Sequence, residues 1–374
     1  MRRLSSEDRR KFLNLRRSFK SPVVGITGNI GKTSTLEMIR TVLEEDGRVL
    51  MNRYGYGNWK NNIKTLEKLS SDYDFALFEF DFTRGNDFGE VLRLIKPNIG
   101  IITNMGDAHL SYLGSVMESA MQKSAVLKYL ARGGAAIMNK DDEISSTLSQ
   151  RLPLNNIVKF GLSQNADYYA TDIEQLGPHG TNFKLNNEFP VMIPVYSLAD
   201  IYNFLAAVAT LVNLGYILPN ILDIFQNNFQ LPAGRGKLYK IDQLYIMDES
   251  YIAIPRAVAK TTRSLVSFKA YVDKLVLIIG DMQELGTNVE EQHLNMGYFI
   301  SALPIDHVIT VGHYAEYIGK GVSLIQNKGK TIASCSSVND ILNALDNLNL
   351  SKAAITVQGI GQVGLRRILK HLGY

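Results

Sequence analysis

The segment Ile26-Thr-Gly-Asn-Ile-Gly-Lys-Thr-Ser34 holds the residue types that phosphate chemistry needs, in a workable order. Gly28 and Gly31 let the backbone curl so that its N–H groups face a phosphate, and a helix starting beyond them adds a favourable dipole. Lys32 is placed to reach terminal phosphates, and the Thr33 hydroxyl is of the type that ligates Mg²⁺. Gly28, Asn29, Gly31, Lys32, Thr33 and Ser34 are therefore candidate nucleotide-binding residues. The common form of this loop has a glycine five positions before the Gly-Lys pair, where this chain has Ile26, so the loop is a short variant. An ordinary glycine-rich turn is the competing reading. The order strand, loop, Lys, Thr, helix argues against it.

Glu79 is a second candidate, because it interrupts the apolar run Leu77-Phe-Glu-Phe80. A buried carboxylate is costly unless it is paired or bound to a metal. Alternation along a strand would equally turn Glu79 outward, away from its apolar neighbours. The residues alone leave both readings open.

These side chains need a scaffold. Short apolar runs rich in β-branched residues at 22–27, 75–80, 99–104 and 134–139 alternate with amphipathic stretches. That alternation predicts an α/β protein with a largely parallel sheet. A helix is expected after Gly31, a second over 116–131, and a buried alanine-rich one over 203–214. Pro232, Gly234 and Gly236 cluster at a boundary, and the two glycines supply hinge positions. Beyond them, strand candidates at 275–280, 308–311, 331–334 and 353–357 predict a smaller Rossmann-like α/β domain. The resulting division is a basic lead over 1–20, an ATPase-type domain over 21–233 and a second domain over 234–374.

Composition narrows the class. A net charge of +4 over 374 residues gives no support for a nucleic-acid partner. The single cysteine, Cys335, can build neither an internal disulfide nor a cysteine-rich metal site. No apolar run is long enough to cross a bilayer and no signal-peptide pattern opens the chain, so a cytoplasmic location is expected. The first 20 residues hold eight basic side chains, with Phe12, Leu15 and Phe19 at helical spacing. They read as a solvated amphipathic helix docked on the domain, or alternatively as a contact for an anionic partner.

The loop Thr27-Gly-Asn-Ile-Gly-Lys-Thr33 resembles the short phosphate loop of the Mur ligases, which build the peptide of bacterial cell walls. Further similar segments follow in order: Thr103-Asn-Met-Gly-Asp-Ala-His-Leu110 with Gly114 and Gln122-Lys-Ser124; Tyr202-Asn203; Gly234-Arg235; and Asp248-Glu-Ser-Tyr251 with Pro255. Gly280-Asp-Met-Gln-Glu-Leu-Gly286 with His293 resembles a signature of the subgroup that adds D-alanyl-D-alanine. The resemblance covers nearly the whole chain from Pro22. It implies an ATP-dependent ligase that makes an amide through an acyl phosphate. It also implies two Mg²⁺ ions, one on Thr33 and Glu79 and one near His109 and Lys123. Lys123 would be carbamylated, so that a cationic side chain becomes a metal ligand. Lys32 would stabilise the phosphoryl group in transit, and Asn203, Arg235 and Asp248 would hold the nucleotide.

The sequence also departs from the family. Its phosphate loop begins about 25 residues in, so the N-terminal domain that grips a UDP-sugar is expected to be missing. Ile252 and Ile254 stand at family asparagines, and Gln358-Gly-Ile-Gly361 stands at a Lys-Gly-Ser-Arg segment. On these grounds the expected substrates are a small-molecule amine and a non-standard carboxylate, such as a sugar uronate or a cofactor acid. Alternatives are an amidating subunit fed with ammonia by a glutaminase, a catalytically degenerate nucleotide-binding protein, or a kinase that stops at phosphorylation. No other protein partner is indicated. The tail Gly359-Ile-Gly-Gln-Val-Gly364 looks like a dinucleotide fingerprint, but no βαβ unit follows it, so a tight strand-to-helix turn is expected.

Overall fold

The computed structural model describes residues 4–52, 57–82, 88–105, 116–283, 285–325 and 329–374. The chain forms two compact units. The first comprises Met1–Ile173, Phe183–Val191 and Ala199–Phe229; the second comprises Glu174–Asn182, Met192–Leu198 and Gln230–Tyr374.

The first unit is built on strands β1 Val23–Thr27, β2 Val49–Met51, β3 Phe75–Glu79, β4 Ile99–Ile102, β5 Ala135–Asn139, β6 Ile157–Gly161, β7 Tyr168–Gln175, β8 Thr181–Leu185 and β9 Phe189–Ile193. Their order across the sheet is β2-β3-β1-β4-β5-β6-β7-β8-β9. Pairing from β2 through β7 is parallel. Every residue of β1, β4 and β5 is buried, as expected where helices cover both faces of a parallel sheet.

Helix Lys32–Leu43 starts directly beyond the phosphate loop. The predicted helix over 116–131 is instead two pieces, Val116–Lys123 and Ala125–Lys128. At the join the Ser124 hydroxyl donates to Met121 O at 2.7 Å, a side-chain bond of the kind that competes with the helix ladder. The alanine-rich helix runs over Leu198–Asn213 and is almost wholly buried.

The basic N-terminal segment is a docked helix, Ser6–Ser18. Ser5 caps it by accepting from the Asp8 N–H at 3.0 Å, its acids lie in the first turn, and Arg16 and Arg17 lie in the last, matching the helix dipole. Phe12 and Phe19 enter the core that contains Val23, Phe78 and Val91. Arg9 pairs with Glu90 at 2.6 Å. The Arg16 guanidinium donates to Ile95 O, Lys96 O and Asn98 Oδ1 at 2.5, 3.1 and 3.1 Å. Asn98 Oδ1 also accepts from Val23 N–H at 2.9 Å, so the helix is tied to the strand that carries the phosphate loop.

The second unit holds a six-stranded sheet of β10 Lys237–Ile241, β11 Leu244–Glu249, β12 Lys274–Gly280, β13 His307–Val311, β14 Thr331–Cys335 and β15 Ala353–Gln358, in the order β10-β11-β15-β12-β13-β14. Among the described residues of this sheet, only the β10–β11 hairpin is antiparallel. β15 ends at Gln358 and helix Gly361–His371 begins three residues later, so the glycine-rich tail is the tight strand-to-helix turn. Cys335 is free and buried, and burial pushes its thiol pKa up.

Candidate active site

The phosphate loop links β1 to helix Lys32–Leu43, and its two glycines are sterically required. Gly31 is the N-cap, with φ +87°, and an added Cβ would lie 2.1 Å from Asn203 Oδ1. A Cβ on Gly28 would lie 1.9 Å from Thr103 Oγ1. The loop's shape is therefore fixed by close neighbours together with its own two glycines. Asn104 Oδ1 accepts from the N–H groups of Asn29 and Ile30, both at 3.2 Å, and Thr103 Oγ1 donates to Ile30 O at 2.7 Å. No side chain among the described residues caps the helix's first turn. Its N–H groups are thus of the kind that receives an anion.

Lys32 is almost fully buried. Its Nζ donates to Gly28 O at 2.8 Å and pairs with Asp81 Oδ1 at 2.9 Å. Thr33 Oγ1 donates to Glu79 Oε2 at 2.7 Å across the β1–β3 pair. Glu79 is only 4% exposed, which decides between its two readings: it faces inward. Its backbone is clamped separately. Asn52 Oδ1 accepts from Glu79 N–H at 2.8 Å, and the amides of Asn52 and Asn62 donate to Glu79 O at 3.2 and 3.1 Å.

Lys123 is also buried, at 1% exposure. Its Nζ donates to Ser119 Oγ at 2.8 Å and to Asn29 Oδ1, so it reaches the phosphate loop itself. Asn203 is buried against Gly31, with its amide 3.4 Å from Asp200 Oδ1. Its neighbour Tyr202 donates to Asp141 Oδ2 at 2.9 Å, and burial together with that bond raises its phenol pKa. The first unit thus assembles Lys32, Thr33, Ser34, Glu79, Lys123, Asn29 and Asn203 around one loop. His109 and Gly114 lie outside the described residues. No group of three or more His, Cys, Asp or Glu side chains among the described residues is placed to hold a metal. The Thr33 hydroxyl and Glu79 carboxylate are hard oxygen donors. They suit Mg²⁺, which takes one or two protein oxygens and completes its shell with phosphate and water.

In the second unit Asp248 is fully buried at the end of β11. Its carboxylate accepts from Gly234 N–H at 2.6 Å and Ser250 N–H at 3.0 Å. The Arg235 guanidinium lies 4.2 Å from the Tyr251 ring centre. In the 280–286 segment, Asp281 accepts from the N–H groups of His313, Tyr314 and Ala315 at 3.2, 2.9 and 2.7 Å. His293 is fully buried. Its Nε2 accepts from Met282 N–H at 2.8 Å and its Nδ1 donates to Val289 O at 2.7 Å. One ring nitrogen thus holds the loop after β12, and the other bonds within the histidine's own helix, Val289–Ser301.

Residues 26–211 match the model of the Mur ligase middle domain. The UDP-N-acetylmuramoyl-tripeptide–D-alanyl-D-alanine ligase of Escherichia coli (strain K12) is 30% identical over 314 residues, spanning 81% of this chain and 67% of that protein. The chain belongs to the Mur ligase family. The Rickettsia prowazekii (strain Madrid E) ligase of the same name is 26% identical over 361 residues, 95% of this chain and 79% of its own. Among solved structures, MurF from Acinetobacter baumannii superposes with a TM-score of 0.84 at 23% identity, covering 97% of this chain and 79% of that one. MurF from Thermotoga maritima, solved in complex with ADP, gives 0.81 at 20% identity, covering 98% and 82%.

As a Mur ligase the protein is an ATP-dependent enzyme that forms C–N amide bonds. The relatives correct one expectation. A sugar uronate or cofactor acid is overturned as the carboxylate, because these relatives bear the name of the D-alanyl-D-alanine-adding ligase of UDP-N-acetylmuramoyl-tripeptide. The ammonia-using and degenerate alternatives fall with it. No helix among the described residues is long and apolar enough to cross a membrane.

Two partners of this Mur ligase's site were not singled out from sequence. Asp81 meets Lys32, and Asn52 meets Glu79, each from a segment distant in sequence. Ser119 did carry a signal, lying four residues before Lys123 on one helix face.

Proposed function

We propose that this Mur ligase joins the carboxylate of a UDP-N-acetylmuramoyl-tripeptide to the amine of D-alanyl-D-alanine. The observation that carries the site reading is the grouping of Lys32, Thr33 and Glu79 at one phosphate loop. The substrates are those in the names of its relatives. A substrate carboxylate oxygen attacks the γ-phosphorus of ATP, the bond to the β–γ bridging oxygen breaks, and ADP leaves. The amine nitrogen then attacks the acyl carbon of the acyl phosphate and loses a proton as inorganic phosphate departs.

Bringing two anions together requires compensating positive charge. The Gly28–Gly31 backbone and the helix start receive the phosphates. Lys32 exchanges Gly28 O and Asp81 for the γ-phosphoryl oxygens as negative charge moves onto them. Thr33 and Glu79 would hold one Mg²⁺, and His109 with Lys123, carbamylated, a second; these ions neutralise phosphate charge when bound. Asn203, Arg235 and Asp248 contact the nucleotide. A cytoplasmic location fits the nucleotide substrates.

The test supplies ATP, Mg²⁺, the UDP-linked tripeptide and D-alanyl-D-alanine to the purified protein. Phosphate release and mass spectrometry read the reaction. ADP should form only with both substrates present, with a product heavier by the dipeptide less water. ADP formation that ignores the dipeptide would remove it as the amine.

A further inference from the structure

Gln362 is the second residue of helix Gly361–His371, inside the tail motif whose glycines only make a turn. Its side-chain amide does something separate. Nε2 donates to Ser250 Oγ at 2.7 Å and lies 3.2 and 3.4 Å from the two Asp248 carboxylate oxygens. Asp248 in turn takes Gly234 N–H on its carboxylate, and its backbone O takes Gly236 N–H at 2.7 Å. Gly234 packs closely against its neighbours. At φ +79°, a Cβ there would lie 3.0 Å from Tyr251 Cβ and 3.1 Å from Gln362 Nε2. Arg235 sits between these two anchored glycines. Its position is set by a chain of contacts that ends at the Gln362 amide.

We propose that Gln362 is a positioning residue for nucleotide binding, clamping Asp248 and through it the turn that presents Arg235. The inference rests on the reading of Arg235 and Asp248 as nucleotide contacts. The chemistry is specific to an amide: Nε2 gives its hydrogens to a carboxylate and a hydroxyl. A carboxylate in its place would set two like charges against each other in a buried site. A protonated carboxyl would restore one donor.

Titrating ADP into the full chain and its variants tests this. Q362E should weaken ADP binding about tenfold at about pH 8, the scale of one lost charge-assisted bond. Affinity should recover as pH falls to about 5, where the new carboxyl, raised above its ordinary ~4.3 by the Asp248 charge beside it, takes up its proton. Q362A should be weakened at both pH values, with no such recovery. In steady state, KM for ATP should rise in Q362E while kcat stays within about twofold. R235A separates the two claims. If R235A binds ADP like the unaltered protein, the nucleotide reading itself fails. If R235A is weakened and Q362E is not, Gln362 alone loses its role. Loss of affinity in Q362E that does not recover at low pH and tracks a lowered melting temperature would also overturn the proposal, leaving Gln362 a fold residue.

Discussion

Lys32 Nζ and Asp81 Oδ1 form an ion pair 2.9 Å long, in which the lysine side chain is 9% exposed and the aspartate 27%. The lysine meant for phosphate is therefore held against the chain just beyond the end of β3. A triphosphate would meet Asp81 as a like charge. At an effective dielectric of ~20, a unit charge a few ångströms away amounts to about 2–4 kcal/mol before screening. Asp81→Asn should therefore tighten ATP binding several-fold, and the gain should shrink with added salt. Calorimetric titration at two ionic strengths reads it; weaker binding would instead make Asp81 part of the metal or phosphate site.

Glu79→Gln keeps an acceptor for the Thr33 hydroxyl and removes the charge. The fold should persist, because Asn52 and Asn62 hold the Glu79 backbone and not its side chain. The Mg²⁺ concentration for half-maximal activity should rise about tenfold or more, in line with losses on disturbing a metal shell. An unchanged Mg²⁺ dependence would remove Glu79 from the metal site.

Lys123 touches the loop through Asn29 but stands apart from Lys32 and Thr33 in sequence. Lys123→Ala should lower kcat at least about a hundredfold, the usual scale for losing a group that stabilises transition-state charge. ADP affinity should change little. If the side chain acts as a carbamate, depleting bicarbonate should depress the activity of the unaltered enzyme but not the residue left in the variant.

Gly31→Ala forces a side chain into the left-handed region and onto Asn203 Oδ1. Backbone strain of this kind costs about 1–3 kcal/mol. A lowered melting temperature and weakened ADP binding are expected together. Adding Asn203→Ala removes the clash but not the strain, so it should restore part of the melting temperature only.

Phe12→Ala empties a fully buried ring site under the N-terminal helix. The expected loss is about 3–5 kcal/mol of stability, read by denaturant unfolding. A loss below about 1 kcal/mol would mean the helix is not docked in solution.

Much of this was legible in the sequence for a physical reason. Buried parallel strands such as β1 and β15 read as unbroken apolar runs, and the loop between β1 and its helix has few ways to face a phosphate. The helix starting at Lys32 and the inward Thr33 followed from that. Local patterning says nothing of residues that meet through the tertiary fold. Asp81 on Lys32, Asn203 against Gly31 and Gln362 on Asp248 are contacts over 49, 172 and 114 positions, and none leaves a periodic trace. Glu79 was ambiguous for a related reason, since burial on both faces cancels the alternation that assigns a strand residue to one side. The break at Ser124 came from a side-chain hydrogen bond that competes with the helix.

Helix Ser6–Ser18 has its anchors 79 to 82 positions further along the chain, at Glu90, Ile95, Lys96 and Asn98. During synthesis at about 5–20 residues per second, that interval lasts several seconds. Throughout it, Phe12 and Phe19 lack the part of their core that Val91, Leu92, Leu94 and Ile95 supply. A nascent chain of this ligase therefore carries a basic, amphipathic and temporarily sticky segment until β4 is made. The interval sets a lower limit on when the strand bearing the phosphate loop can be locked in place.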